Sequence, residues 1–399
     1  MDRRRSLRVK SHDHAKKNMN QNSNSCKVMS ILFLPEDLKL RIFHFVPIHC
    51  LINSVRYVCK SWAATIASST FTQVYECRAR SKPGLYVENR KLRNRSYLLE
   101  FKDDVNGQFE RTDLGTPQKM GRVIGTCHGI LLLLSTDRRY FVVNPILKCW
   151  LTVPCFPISR PGLVFWGQCT ITHVLRTAKF KLFHLDVIDD SGASWFVFYV
   201  LRIGIDSSWK EIARKEASQT SPRFWFYFSS RPLYSGGDDL YWLTNGEVIV
   251  MDIDKEIIVR EYSLPAGKML GGPLWMGNCL SCVVTIDSTR THQIYILDFD
   301  SGEWSLYHEI GPFDYMPAFG HSYNFNIPIV VFCLWINDRI IFRVGLHQNQ
   351  IGNMFSCKHI HFGYNVKTKQ LTKLEDIDEG NFEVWLHTNS LVSLPTTPA

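Results

Sequence analysis

No apolar run in this chain reaches membrane-spanning length; the longest, residues 327–336, contains Pro328 and would cross about half of a bilayer core. A soluble protein with no membrane partner is expected. Nor do the first residues resemble a secretory leader, since residues 1–17 hold seven Lys or Arg against Asp2 and Asp13. Without secretion, Asn94-Arg95-Ser96 does not read as a glycosylation site. The twelve cysteines form no framework: their spacing is irregular, several sit in apolar segments (Cys127, Cys149, Cys169, Cys333), and Cys279-x-x-Cys282 has no second pair. They read as reduced, buried small hydrophobes rather than disulfides or a four-ligand zinc site. A Gly-x-Ser-x-Gly elbow, a phosphate-cradling glycine loop and a His-Glu-x-x-His pair are all missing. The formal net charge of +9 is mostly local, because residues 1–17 contribute +5 and leave +4 for the rest. Specific nucleic-acid binding is not expected.

What the chain does have is apolar substance: 45% hydrophobic and 13% aromatic residues in a length of 399 suffice for one large or two ordinary domains. Residues 1–30, with Arg3-Arg4-Arg5, Arg8, Lys10 and Lys16-Lys17 among Asn and Ser, are expected to be a disordered basic tail. It reads as a nuclear address, a polyanion contact or a solvated extension. Residues 31–72 read as helical, 73–96 as a charged connector with Pro83-Gly84 as a turn, and 97–394 as strands.

In the helical segment, Leu34-Pro35-Glu36-Asp37 is a helix start: Pro35 has the φ of a first helical position, and Glu36 and Asp37 set negative charge at the positive end of the dipole. Leu38, Ile42 and Phe45 or Val46 recur at helical spacing, and Pro47 stops the helix. Cys50, Leu51, Val55, Val58 and Cys59, then Trp62, Ile66 and Phe71, predict two more short helices. Three helices this short cannot enclose all these side chains, so some apolar surface is left for a partner.

At these residues the segment resembles the F-box. Leu34-Pro35, the apolar residues 42–47, Val58-Cys59-Lys60-Ser61-Trp62 and Phe71 stand at that family's spacing, over about a tenth of the chain. The resemblance implies binding to the Skp-family linker of SCF-type cullin–RING ubiquitin ligases, and to the cullin through it. Leu34, Pro35, Leu38, Ile42, Pro47, Leu51, Val58, Cys59 and Trp62 would form the linker-binding surface or its support. Phe45-Val46 departs from the family, which more often has Leu before the Pro, a change that repacking accommodates. The alternative is an ordinary helical bundle packed on the rest of the chain.

In the body, residues 97–101 and 108–114 read as a hairpin turning at Asn106-Gly107, and strand-like runs then alternate with turn residues to the end. A repeat runs through it. A polar residue closes one strand and an apolar or indole residue follows six positions on: Asn144 and Trp150, Asp252 and Ile258, Asp298 and Trp304, Asn365 and Leu371, and more weakly Ile203 and Trp209. The intervals of 59, 49, 46 and 67 residues lie near the period of a propeller blade. Residues 129–134, 240–243, 280–286 and 339–344 read as inner strands. Pairing the early hairpin with residues 382–394 would complete a sixth blade and close the ring, removing an exposed sheet edge. The expected fold class is α+β, a short helical domain followed by an all-β propeller of about six irregular blades.

The body also resembles the F-box-associated domain of plant proteins. The resemblance rests on Cys127-His128-Gly129-Ile130-Leu131-Leu132, Asn144-Pro145 with Trp150 and Pro154, Leu240-Tyr241-Trp242-Leu243, Gly302-Glu303-Trp304 and Ser390-Leu391-Val392-Ser393-Leu394. It implies a kelch-like propeller that recruits a target protein.

Other constellations carry less. Ser207-Ser208-Trp209-Lys210 fits Ser-x-x-Lys in an expected turn without a companion motif, and His128 reads as a structural, hydrogen-bonded histidine. Cys357, His359 and His361 alternate on one strand face, a geometry that could serve metal ligation but needs no metal to explain it. In the aromatic run 224–228, Phe224, Phe226 and Phe228 would fill a core. Arg223, Trp225 and Tyr227, with Arg231 nearby, would make a peptide-binding hot spot or simply pack between blades. No metal and no cofactor is expected. The expected function is a non-catalytic target-receptor subunit of a ubiquitin ligase, in the nucleus, the cytoplasm or both. The alternative is a lectin-like or small-molecule-sensing propeller outside ubiquitination.

Overall fold

The computed structural model describes residues 34–72, 75, 84–89, 96–101, 109–112, 120–157, 169–217, 232–265, 273–286, 291–319, 329–348, 356–377 and 382–394, apart from 69, 191, 235, 245, 277–278 and 376. The basic tail lies outside these residues. Pro35 takes the position just before the first helix, with ψ 148, and its carbonyl accepts the Lys39 amide at 3.0 Å. The helices are α1 (Glu36–His44), α2 (Ile48–Asn53) and α3 (Lys60–Ala67), with a 3-10 turn at Val55–Tyr57 between the last two. Pro47 closes the break after α1, and its carbonyl accepts from the amides of Cys50 and Leu51 to open α2.

The rest is a six-bladed β-propeller made of six four-stranded antiparallel sheets. Blade 1 combines β1 (Gly84–Asn89), β2 (Ser96–Phe101) and β3 (Phe109–Thr112) with the last strand, β24 (Phe382–His387), in the order β24-β1-β2-β3. Blade 2 is β4 (Arg122–Cys127), β5 (Ile130–Leu134), β6 (Tyr140–Asn144) and β7 (Cys149–Thr152). Blade 3 is β8 (Cys169–Val174), β9 (Lys179–Asp190), β10 (Ala193–Arg202) and β11 (Lys210–Glu216). Blade 4 is β12 (Leu233–Tyr234), β13 (Asp239–Leu243), β14 (Glu247–Asp252) and β15 (Ile257–Ser263). Blade 5 is β16 (Pro273–Met276), β17 (Cys279–Ile286), β18 (Thr291–Leu297) and β19 (Trp304–Ile310). Blade 6 is β20 (Ile329–Ile336), β21 (Arg339–Gln348), β22 (Ser356–Asn365) and β23 (Gln370–Lys373), preceded by a one-turn helix, α4 (Met316–Phe319).

The structure departs from the sequence expectation in two places. The runs 129–134, 240–243, 280–286 and 339–344 are second strands; the innermost strands, which touch from blade to blade around the axis, come one earlier, β4 against β8, β12 against β16, β16 against β20, and β24 against both β20 and β4. The segment 73–96 is no mere connector, because it supplies β1, which lies between β24 and β2. Closure by the last strand is as expected, with β1 inserted.

Each blade interface has its own apolar cluster, and strand alternation sorts residues between them. In β5, Ile130, Leu132 and Leu134 pack toward blade 3, while Leu131 and Leu133 pack toward blade 1. A sheet covered on both faces needs no polar side, which is why β5 reads as an unbroken apolar run. Polar ties add to this: Lys181 on β9 donates to the carbonyl of Ile253 at 2.8 Å and pairs with Glu256 at 2.8 Å across to blade 4.

The six-residue repeat is turn chemistry. The amides of Ile146 and Leu147 donate to Asn144 Oδ1, those of Asp254 and Lys255 to Asp252 Oδ1, that of Asp300 to Asp298 Oδ1, and those of Lys367 and Thr368 to Asn365 Oδ1. Four residues after each acceptor the chain turns left-handed, at Lys148 (φ 53), Glu256 (φ 61), Gly302 (φ 75) and Lys369 (φ 58), and the next strand begins. Ile203 and Trp209 flank a different turn, in which Asp206 accepts from the amide and Nε of Arg202. Asp252→Ala should therefore cost about 1–2 kcal/mol, read as a lower urea midpoint at unchanged slope, whereas Asp252→Asn should retain most of it.

Candidate functional site

The helical segment builds a small core and leaves part of its apolar surface outside it. Phe43 is buried, edge-on to Trp62 at 4.9 Å and to Phe71 at 6.1 Å, with Ile48, Leu51, Ile52, Ile66 and Tyr75 around it. A polar network fastens α1 to α3: Thr65 Oγ1 donates to Glu36 Oε1 at 2.7 Å, and Lys39 Nζ donates to Ser61 Oγ at 2.9 Å. The Thr65 hydroxyl holds the Glu36 carboxyl below the usual carboxylate range. Cys59 caps α3, its Sγ accepting the Trp62 amide at 3.5 Å.

On the other side of α1, Leu38, Ile42 and Phe45 stand at i, i+4 and i+7 and are 40, 47 and 88% exposed. Tyr57 and Val58, just before α3, are 72 and 53% exposed. The Trp62 indole nitrogen is buried without an acceptor among the described residues. This is what the helical geometry offers: an apolar face whose removal from water would be worth about 1.5–3 kcal/mol per large side chain fully covered.

Of the residues named from the sequence, Pro35, Leu38, Ile42, Pro47 and Val58 are exposed, Leu34, Cys59 and Trp62 are half-buried, and Leu51 is wholly buried and serves as support. Phe45 and Tyr57 were missed as surface residues. Phe45 continues the stripe of Leu38 and Ile42, and that spacing was the available signal. Arg223, Trp225 and Tyr227 lie outside the described residues, in the segment between β11 and β12. On β22, His361 is buried, and desolvation together with Arg343 and His359 pushes its pKa down to about 3; the Cys357 side chain lies outside the described ones. No group of three or more His, Cys, Asp and Glu side chains suited to a metal occurs among the described residues. His128 sits on the β4–β5 turn at φ 44 with its ring 4.7 Å from that of His173. Trp209 closes the β10–β11 turn by donating to the Pro154 carbonyl at 3.0 Å.

No curated protein matches the chain. Among solved structures it is similar to an oligogalacturonate lyase from Vibrio parahaemolyticus (10% identity, 70% of each chain, TM-score 0.39). It is also similar to the Cps50 (Swd1) β-propeller domain of Myceliophteria thermophila (13% identity, 74% of this chain and 88% of that one, TM-score 0.36). A third likeness is YCF48 from Cyanidioschyzon merolae (11% identity, 75% and 87%, TM-score 0.34). Likenesses this distant carry no function across. Residues 31–73 match the F-box domain. The helical segment with the exposed apolar stripe is thus an F-box domain, carried ahead of a six-bladed propeller.

Proposed function

We propose that this chain is the target-receptor subunit of an SCF-type cullin–RING ubiquitin ligase, with the F-box docking on a Skp-family linker and the propeller, of the kelch-like F-box-associated kind, holding the target. The observation that carries it is the stripe of Leu38, Ile42 and Phe45, exposed on a small domain whose own core is already filled by Phe43, Leu51, Ile66 and Phe71. The contribution to catalysis is proximity: tethering raises the effective concentration of target lysines beside a ubiquitin-charged enzyme. No residue of this chain acts as nucleophile or base in that scheme.

The F-box packs on the face of the ring that carries the β4–β5 and β6–β7 turns, against Ile146, Leu147 and Leu391. Antiparallel order puts the β5–β6 turn and the blade-to-blade crossings at the other end of the strands. A target would be held on that opposite face. The test is copurification of the full chain with a recombinant Skp-family linker, and of that pair with a cullin. Capture of both is expected; a chain that captures neither overturns the proposal.

A further inference from the structure

The last described residues, 388–394, follow β24 but belong to no sheet, and three observations show that they are built into the molecule. First, Asn144 is fully buried at the end of β6, and its Nδ2 donates to the carbonyls of Ser390 at 3.1 Å and Val392 at 2.8 Å. Its Oδ1 is already committed to the amides of Ile146 and Leu147. Asp252 and Asp298 make the same turn with a carboxylate; the amide at position 144 is required because this side chain must donate on one side and accept on the other. Second, Gly129, at φ 75, lies so close to the segment that a Cβ there would come within 2.7 Å of the Ser390 nitrogen and the Thr388 oxygen. Third, Leu391 is 3% exposed and its neighbours are the F-box core residues, together with Ile146 and Leu147 of the β6–β7 turn.

Further contacts run alongside. Asn389 Nδ2 donates to Glu100 Oε1 at 2.6 Å on β2, and that carboxylate, after burial, raises the pKa of Tyr75, the last described residue of the helical segment, to about 12. Val392 and Leu394 pack between blades 2 and 3.

We propose that residues 388–394 form a strap that fixes the F-box on the propeller as one rigid body, with Leu391 as its anchor and Asn144 as its latch. The strap thereby sets the direction in which a ring-bound target faces the linker, and this last consequence rests on the proposed ligase role. Asn144 and Leu391 are positioning residues: they touch neither the exposed stripe of α1 nor the face proposed for the target. The motif Ser390-Leu391-Val392-Ser393-Leu394, carried in the sequence only by resemblance, thus acquires a physical task.

The test measures the distance distribution between spin labels placed, by a chemistry that does not use cysteine, at the exposed positions Asn53 and Glu303 of the full chain, alone and with the linker protein. One narrow distribution is expected. Asn144→Asp keeps an oxygen for the turn amides but sets a second acceptor against two carbonyls, so it should at least double the width while the unfolding of the propeller stays cooperative. A chain ending at His387, which keeps β24, should broaden it further and still bind the linker. If the shortened chain does not fold, Leu391→Ser, which removes only the anchor, gives the same reading. A broad distribution in the unaltered chain, or an unchanged width in the variants, overturns the strap. Failure of the unaltered chain to bind the linker, with the widths behaving as stated, overturns the ligase role and leaves the strap standing.

Discussion

Replacing Ile42 and Phe45 together by aspartate should reduce affinity for a Skp-family linker protein at least a hundredfold, with no change in thermal midpoint. The two side chains are 47 and 88% exposed, so the helical core does not depend on them. Covering the exposed parts of both would contribute about 2–4 kcal/mol. Two carboxylates set in a desolvated contact add a penalty of about 1–3 kcal/mol each at the least. A sum near or above 4 kcal/mol is roughly a thousandfold in affinity, which leaves room for partial adjustment at the interface. Leu51→Ala would also weaken binding, but by a different route, since Leu51 is wholly buried and its truncation should cost about 2–5 kcal/mol of stability. Leu34→Ala with Pro35→Ala falls between, as Leu34 is half-buried and Pro35 precedes α1. Calorimetric titration beside thermal unfolding separates the cases. Undiminished binding by the aspartate pair would show that the stripe is not the docking surface.

The features legible in the sequence are those set by neighbours along the chain. Pro35 and Pro47 punctuate the helices because proline restricts its own φ and lacks a donor. The six-residue repeat was visible because an Asn or Asp that accepts two amides, followed by a left-handed residue, is a local device. The strands nearest the axis were harder to see: β12 has two residues and β16 four, too short for any period, and they acquire their place from the strands they pair with. β1 was hidden in a charged connector for a related reason, as its partners β24 and β2 stand on opposite sides of it and one comes from the far end of the chain. Helical spacing groups Phe45 with Leu38 and Ile42 on one face, but it does not say whether that face is covered. Leu51 and Phe45 look alike as letters, and only the placement of α3, the 3-10 turn and Leu391 decides that one is covered and the other not.

A chain ending at Gly380 should fail to form a stable ring, whereas one ending at His387 should unfold cooperatively. The difference is β24, which pairs with β1 from Asn89↔Phe382 to Gly84↔His387. Its side chains serve two interfaces: Phe382 and Val384 pack between blades 6 and 1, and Trp385 between blades 1 and 2. These three are 3, 4 and 9% exposed, and losing their burial alone would cost about 5–8 kcal/mol. That is comparable with the whole stability of an ordinary domain, about 5–15 kcal/mol. Removal would also leave β1 as an open edge facing the axis, a template for association between chains. Near-UV circular dichroism and urea unfolding read the outcome, and a cooperative transition of full amplitude in the shorter chain would sink the closure by β24. The chain ending at His387 keeps every residue of β24 and loses the strap with the residues after it, so the two together separate closing the ring from holding the F-box against it.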